Sequence, residues 1–390
     1  MKKKVLLVFP GMRIKNDEGS KHRLNCHVNE YKKRGYDVDV LAICKDVKFG
    51  CDSKYLNPNA NWIIRPYLFP FAKHIFFAKC LIVYLKIITA IHTWIKKYDV
   101  VQMELWGTQS CLCRKSSFYI TDVHGDSVYE LREMGKLQPW VADYFVEIQK
   151  DFVKHSDLCI FVSENLRRQI EINTNEKEKD YALISCGVDI KRFETAEKAT
   201  IDGLDLSQRI VLGYCGGFHG WQNFEAMIDL AIRLHNMDKR VFLLVFSNGN
   251  VEPFNEKLSM LGKENYFIKG LPSKEVPSHL KLMDAGLLLR SDLILNRVSS
   301  PTKICEYLAA GVPLVCTQYS GDYDRSVVHK ENGFVGAEPV FTDEEVKDLL
   351  VWLKGVKNSR QSFASKCITS VKNRTFEAEF DTLIAKVECN

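Results

Sequence analysis

The chain alternates apolar, strand-like runs with helix-like stretches, and it does so twice. The first series opens with "KVLLVFP", the polar glycine-bearing loop "GMRIKNDEGSKHR" and a helix to about Arg34. The strands "YDVDVLAIC" and "YDVVQME" follow, then "SFYITDVHG", the helix "PWVADYFVEIQKDFVKHS", "DLCIFVS" and "YALISCGVD". Such alternation with short turns implies a doubly wound parallel sheet, which binds ligands at the carboxyl ends of its strands. Across "VDIKRFETAEKATIDGLDLSQR" the chain turns polar and irregular, and a domain boundary is expected there. The pattern restarts with "IVLGYCGG", the helix "NFEAMIDLAIRLHNM", "VFLLVFSNG", "YFIKGL", "AGLLLR" and "VPLVCT". From about residue 342 the chain reads as mostly helical, and "EAEFDTLIAKV" has amphipathic spacing. The expected architecture is α/β, with two Rossmann-like domains over 1–190 and 191–369.

Composition narrows the function classes. The net charge of +5 in 390 residues argues against a dedicated nucleic-acid binder, yet allows a local basic patch facing lipid or phosphate. Thirteen cysteines without a CxxC pair fit reduced thiols in a cytoplasmic protein. The close pair Cys111 and Cys113 has no accompanying ligand cluster, so no metal site is expected. "MKKKVLLVFPGMR" has too short an apolar run for a signal peptide and reads as a first buried strand.

Residues 66–98, "PYLFPFAKHIFFAKCLIVYLKIITAIHTWIKKY", differ from the rest in their aromatic and aliphatic richness. Lys79 and Lys86 are seven apart and share a helical face, with Lys73, Lys96 and Lys97 flanking. The charges interrupt the run too often for a comfortable membrane span. The segment reads either as an interface-seeking region anchored by Trp94 and Tyr84, or as helices packed on the sheet.

The stretch "SSPTKICEYLAAGVPLV", 299–315, concentrates the chemistry. Ser299 or Ser300 can cap a helix with Pro301 in its first turn, and Gly311 and Pro313 end it. Such a terminus offers amides and dipole to an anion. Lys303 adds a full charge suited to a diphosphate, and Glu306, one turn further in, suits a vicinal diol such as ribose presents. The plain alternative is a capped helix with a surface lysine and glutamate.

This stretch resembles the donor-site helix of GT-B glycosyltransferases, above all the family 4 retaining group with its S-x-P-x-K-x-x-E-Y-x-A-x-G-x-P pattern. "GYDVDVLA", "SDLCIFVSENLRRQI", "LISCGVDIKRF" and "YFIKGLPSKEVPSHLKLMDAGLLL" resemble other segments of that family, in the same order over roughly 1–340. The resemblance implies two domains facing a cleft, with the C-terminal helix, about 370–390, packing back on the first. It implies metal-independent transfer of a hexose from a nucleotide-diphosphate sugar, a UDP-sugar favoured, with retained configuration. The acceptor would be a glycan or lipid-linked glycan in bacterial surface polysaccharide or lipopolysaccharide synthesis. The protein would be cytoplasmic, with peripheral contact to anionic membrane, and would need no cofactor.

By the same resemblance Lys303 and the amides near Thr302 and Ser300 hold the diphosphate and Glu306 holds the ribose, while Arg290, Asp292, Asn296 and Arg297 lie nearby as candidates to contact the donor. Many family members carry a glutamate eight residues before Glu306; here that residue is Val298. The loop "GYCGGFHGWQNF" offers Gly216 and Gly217 for close backbone approach to phosphate. Where relatives hold an Arg and a Lys, it has His219, Trp221 and Gln222. His124, just past a strand in "TDVHGDS", is expected near the donor sugar as a catalytic residue beside Lys303. Gly19 and Ser20 are expected on the acceptor side, in a loop whose Arg13, Lys15, Lys21 and Arg23 attract an anionic acceptor. Asp322, in the Gly-Asp after a later strand, is a weaker contact candidate. "DVD" at 37–39 lies inside a strand, which argues against a metal site. A non-catalytic GT-B scaffold and a nucleotide-sugar 2-epimerase are the rival readings.

Overall fold

Each apolar run pairs with its neighbours in parallel, and the chain builds two sheets. A computed structural model describes residues 2–15, 19–47, 50–68, 75–104, 117–133, 135 and 139–389. Contacts divide the chain into one unit of Met1–Ser185 with Phe376–Asn390, and a second of Cys186–Thr375.

The first unit contains β1 (Lys4–Met12), α1 (Gly19–Lys33), β2 (Asp37–Cys44), β3 (Asn61–Pro66), α2 (Ile75–Ile95), β4 (Val100–Glu104) and β5 (Phe118–Val123). It continues through α3 (Ser127–Glu133), α4 (Pro139–His155), β6 (Leu158–Phe161), α5 (Glu164–Thr174) and β7 (Tyr181–Leu183). The sheet order is β3-β2-β1-β4-β5-β6-β7, all parallel. The order reverses between β1 and β4, where a crevice opens at the carboxyl ends.

The second unit contains α6 (Ile190–Glu194), β8 (Ile210–Cys215), α7 (Phe224–Met237), β9 (Val241–Phe246), α8 (Asn255–Leu261), β10 (Tyr266–Lys269) and α9 (Val276–Leu280). It then runs through β11 (Ala285–Leu288), α10 (Ile294–Val298), α11 (Thr302–Ala309), β12 (Leu314–Thr317), β13 (Gly333–Gly336), α12 (Asp343–Asn358) and α13 (Arg360–Ser370). Its order is β10-β9-β8-β11-β12-β13, again all parallel, with the reversal between β8 and β11. Strands such as β9 are buried along their whole length, as sheets covered on both faces require.

The last helix, α14 (Phe376–Glu388), belongs to the first unit, where Phe380, Leu383 and Val387 join the core around Tyr31 and Val38. Glu379 of α14 accepts a hydrogen bond from the Ser185 hydroxyl at 2.5 Å.

Several details depart from the sequence reading. The division falls after Ser185, ahead of the polar stretch, because the following turn is tied into the second unit. There the Val188 amide donates to the Arg374 carbonyl at 3.0 Å, and Phe193 is buried in that core. The loop expected over 10–23 is shorter, since β1 runs to Met12 and α1 starts at Gly19. Between β12 and β13 the chain holds only a 3-10 turn, Tyr323–Arg325. Lys73, Cys111 and Cys113 lie outside the described residues.

Helix α2 presents an inverted arrangement. Ala78, Leu81 and Leu85 pack with Tyr144 and Ile148 of α4 in the first unit's core. The other face carries Phe76, Val83, Ile87, Ile91 and Trp94, all exposed, with Phe76 at 64% and Trp94 at 61%. At 21 residues and a mean hydropathy of 1.8, α2 is long and apolar enough to cross a membrane by length and composition. Only Lys79 and Lys86 interrupt it, fewer charges than the longer segment suggested.

Candidate functional site

The second unit assembles its site at the reversal between β8 and β11. Tyr307 of α11 lies on Gly286 of β11, where a Cβ would meet the ring at 2.6 Å. The Tyr307 hydroxyl accepts a hydrogen bond from the Cys215 amide at 2.7 Å, pinning α11 to the end of β8. Lys303, one turn earlier, shares that face. Its side chain crosses Gly216, where a Cβ would collide with Cε and stand 2.9 Å from Nζ. The room that Gly216 leaves is therefore taken by Lys303.

Arg290 follows β11 and is 5% exposed. Its Nη1 donates to Ser299 Oγ at 2.8 Å and its Nη2 to Gln222 Oε1 at 3.4 Å, while Nε is buried without a partner. Among the described residues neither Arg290 nor Lys303 forms an ion pair. Burial lowers Arg290 to about 10. Burial and the neighbouring Arg290 lower Lys303 to about 8, against the opposing pull of Glu306 and Cys215. Two partly desolvated cations without an ion pair, only partly offset by Glu306 and Asp322, make an anion-receptive site, since an arriving anion reduces the cost of their burial.

The helix start differs from expectation. Pro301 occupies the cap position of α11 and no side chain caps it. Ser299 donates to the Asn296 carbonyl at 2.7 Å, closing α10. Ser300 donates to Asp322 Oδ2 at 3.0 Å and accepts from the Cys186 amide at 3.2 Å. Asp322 also accepts from Arg374 Nη2 at 2.6 Å, so both side chains are buried in a structural network. Thr302 is exposed in the first turn, and the dipole of α11 is unopposed by a side-chain cap. At the other end Gly311, at φ 73°, takes the left-handed conformation that ends α11.

The remaining donor candidates scatter. Gly217 accepts a hydrogen bond from the Tyr214 hydroxyl at 2.6 Å. His219 is exposed and stacks on Trp221 at 4.6 Å and 7°. Gln222 ties the glycine loop to Arg290. Val298 is buried, at 4% exposure. Asp292 is paired with Arg297, 2.6 Å between Nη2 and Oδ2.

The first unit has a second polar centre, beside its own strand reversal. His124 follows β5, and its Nε2 lies 2.6 Å from Glu104 Oε1 at the end of β4. Burial alone would lower His124, but the hydrogen bond and charge of Glu104, with Asp122 beyond, raise it. Arg23 of α1 clamps Asp122 with two bonds of 2.8 and 2.7 Å, both groups buried. That clamp holds Asp122 well below the usual carboxylate range despite its burial. His27, 1% exposed, is lowered to about 4 chiefly by burial. Gln102 Nε2 lies 2.5 Å from its Nδ1, and Tyr31 donates to Gln102 Oε1 at 3.0 Å. A cavity of about 20 Å³, room for one water, is lined by Arg23, His27, Gln102, Glu104 and Asp122.

Arg23 and Lys21 thus have partners inside the fold, Lys21 donating to the Ile14 carbonyl at 2.7 Å. Gly19 and Ser20 form the first turn of α1, and a Cβ at Gly19 would meet nothing within 4 Å. Asp39 of the "DVD" stretch is engaged by Lys96 at 2.7 Å and Tyr98 at 2.6 Å. Sequence reasoning missed Glu104 and Asp122. The available signal for Glu104 was its place as the last residue of a strand, at the carboxyl end where ligands bind.

Comparison with known proteins identifies the fold. The profile of Glycosyltransferase Family 4 matches residues 26–192. HepE of Anabaena, solved in complex with UDP, superposes with a TM-score of 0.70 at 12% identity over 100% of both chains. A glycosyltransferase from Rickettsia africae ESF-5 does so with a TM-score of 0.69 at 16% identity, over 99% of this chain and 98% of that one. The fold is therefore GT-B, two Rossmann-like α/β units.

A particular relative is TuaH of Bacillus subtilis (strain 168), whose name assigns it a glycosyltransferase role in teichuronic acid biosynthesis. It is 28% identical over 171 residues, 42% of this chain and 41% of TuaH.

Proposed function

We propose that this protein is a retaining, metal-independent glycosyltransferase. It would move a hexose from a nucleotide-diphosphate sugar to a hydroxyl of a glycan or lipid-linked glycan. The observation that supports this reading is the pair of desolvated cations, Arg290 and Lys303, neither in an ion pair, at the uncapped start of α11. Departure of a nucleoside diphosphate builds negative charge on the leaving phosphate, and preorganised cations and a helix dipole stabilise it. Glu306, one turn beyond Lys303, would accept hydrogen bonds from the ribose diol. In the first unit His124 would donate to a sugar hydroxyl, and Gly19 and Ser20 would lie on the acceptor side. Thr302 would add its first-turn amide to the diphosphate site, with Gly216 and Gly217 beside it and His219 at its edge. UDP is the favoured carrier, supported by the likeness to a UDP-bound structure. A role in surface polysaccharide synthesis is supported by the name of the Bacillus relative.

The test is turnover of UDP-glucose, UDP-galactose and UDP-N-acetylglucosamine with a panel of glycan acceptors, in EDTA, with the anomer of the product read by NMR. Retention in EDTA is expected, with loss in Lys303→Ala and Glu306→Ala. UDP binding without turnover on any acceptor would favour the scaffold reading instead, which the buried Val298 recommends. The epimerase reading predicts conversion of the UDP-sugar with no acceptor.

The outer face of α2 supports a place of action at an anionic membrane. Its exposed Phe76, Val83, Ile87, Ile91 and Trp94 form one stripe, Lys79 and Lys86 lie along one edge, and the helix has no acidic residue. Co-sedimentation with phosphatidylglycerol vesicles is expected, weaker with phosphatidylcholine and lost in a Phe76→Ser, Trp94→Ser double variant. Equal recovery of both proteins in the supernatant would contradict it.

A further inference from the structure

We infer that Glu104 is a positioning residue for the reaction: its carboxylate holds the His124 ring through Nε2 and leaves Nδ1 as the nitrogen that meets the ligand. This inference rests on the proposed transferase reading, and its test is separable from it.

The two residues stand on adjacent strand ends. Glu104 is the register partner of Asp122, and His124 lies two residues beyond Asp122. Asp122 is the nearer carboxylate along the chain, but Arg23 already takes both of its oxygens. Glu104 is thereby the carboxylate that reaches Nε2, at 2.6 Å. Among the described residues Nδ1 has no hydrogen-bond partner. His124 is 30% exposed at its side chain against 11% for Glu104, so the carboxylate lies behind a ring that solvent still reaches.

The charges around His124 come from four elements. Glu104 on β4 and Asp122 on β5 favour the protonated ring, while Arg23 on α1 opposes it. His27 on α1 is neutral near pH 7, being lowered to about 4. Glu130 of α3, whose own acidity is weakened by burial, supplies the remaining carboxylate; its Oε1 would stand 2.5 Å from a Cβ at Gly125. The balance favours the protonated imidazole, in which Nε2–H donates to Glu104 and Nδ1–H is available. A neutral residue in place of Glu104 removes the group that both orients the ring and sustains its charge.

The experiment follows the His124 imidazole by NMR, its signal assigned from the spectrum of His124→Asn, in the unaltered protein, Glu104→Gln and Glu104→Asp. The midpoint is expected to fall by about one pH unit or more in Glu104→Gln and to be largely restored in Glu104→Asp. In parallel, the pH profile of kcat with the three UDP-sugars is recorded. Glu104→Gln should lose about tenfold or more at pH 8 and recover toward pH 6, with KM for the UDP-sugar little changed. An unshifted midpoint, or a loss of turnover equal at every pH, would overturn the inference. If the unaltered protein turns over no UDP-sugar, the transferase reading fails, and the imidazole titration alone decides whether Glu104 sustains the charge of His124.

Discussion

The sites at the two strand reversals handle buried charge in opposite ways, although the second unit also holds a buried ion pair, Arg374 with Asp322. In the first, each buried cation meets a carboxylate: Arg23 grips Asp122, and His124 meets Glu104. In the second, Arg290 and Lys303 are desolvated together, with hydroxyl and amide partners for Arg290 and no ion pair for either among the described residues. A paired cation is held without a ligand, whereas a buried cation with no ion pair gains when an anion arrives. The difference is the ground for the proposal that the second unit receives the diphosphate, since both sheets reverse at the same topological point and their carboxyl ends are equally open to ligands by fold alone.

The comparison is sharpest where a charge is removed from each unit. Asp122→Asn should destabilise the protein by about 3–5 kcal/mol, because Arg23 would remain buried without its counter-charge. Urea denaturation checks this, and a loss under 1 kcal/mol would show that the first unit does not depend on the pair.

Acid should strain the same unit. His27 ordinarily titrates near 6.5 and is lowered to about 4 in the folded chain, chiefly by burial. Between these pH values the unfolded chain takes up a proton that the folded chain refuses. Stability therefore falls as pH drops from 6.5 to 4, by roughly 2–4 kcal/mol, and this group contributes no further change below. Asp122, held low, adds its own loss at still lower pH. In His27→Gln the step between pH 6.5 and 4 should flatten; an unchanged pH slope would break the account.

Arg290→Met should do the reverse of Asp122→Asn. Removing a buried cation without an ion pair should leave stability unchanged or raise it by about 1–2 kcal/mol, while weakening UDP binding about tenfold or more. A destabilised variant with intact UDP binding would make Arg290 an ordinary structural residue. A smaller effect is expected from Gln222→Ala, which frees Arg290 Nη2 from a 3.4 Å bond and should change UDP affinity only about two- to threefold.

What could be read in the sequence follows from these same differences. The central strands announced themselves, since a strand covered on both faces must be apolar throughout, as "VFLLVF" of β9 is. The edge strands β3 and β13 are short and half polar or glycine-bearing, "NWIIRP" and "GFVG", and no periodicity marks them. The Lys303–Glu306 spacing was legible because both lie on one short helix with a clear stop. The Glu104–His124 contact was not, because it joins residues 20 apart through strand pairing. Likewise Ser300 looked like a cap by its place before Pro301, and only the fold shows that Asp322, 22 residues on, claims its hydroxyl.

Lys303 and Arg290 are proposed to bind a nucleoside diphosphate together. Lys303, lowered to about 8, is charged below that pH and neutral above it in the free protein, so a diphosphate must bring back its proton when it binds at higher pH. Calorimetric titration of UDP into the full chain from pH 6.5 to 9.5 tests this directly. The account predicts constant affinity up to about pH 8 and weakening by up to about tenfold per pH unit beyond it, with proton uptake and with binding largely abolished in Lys303→Ala. Binding of UDP that is independent of pH over this range and unchanged in Lys303→Ala would contradict it.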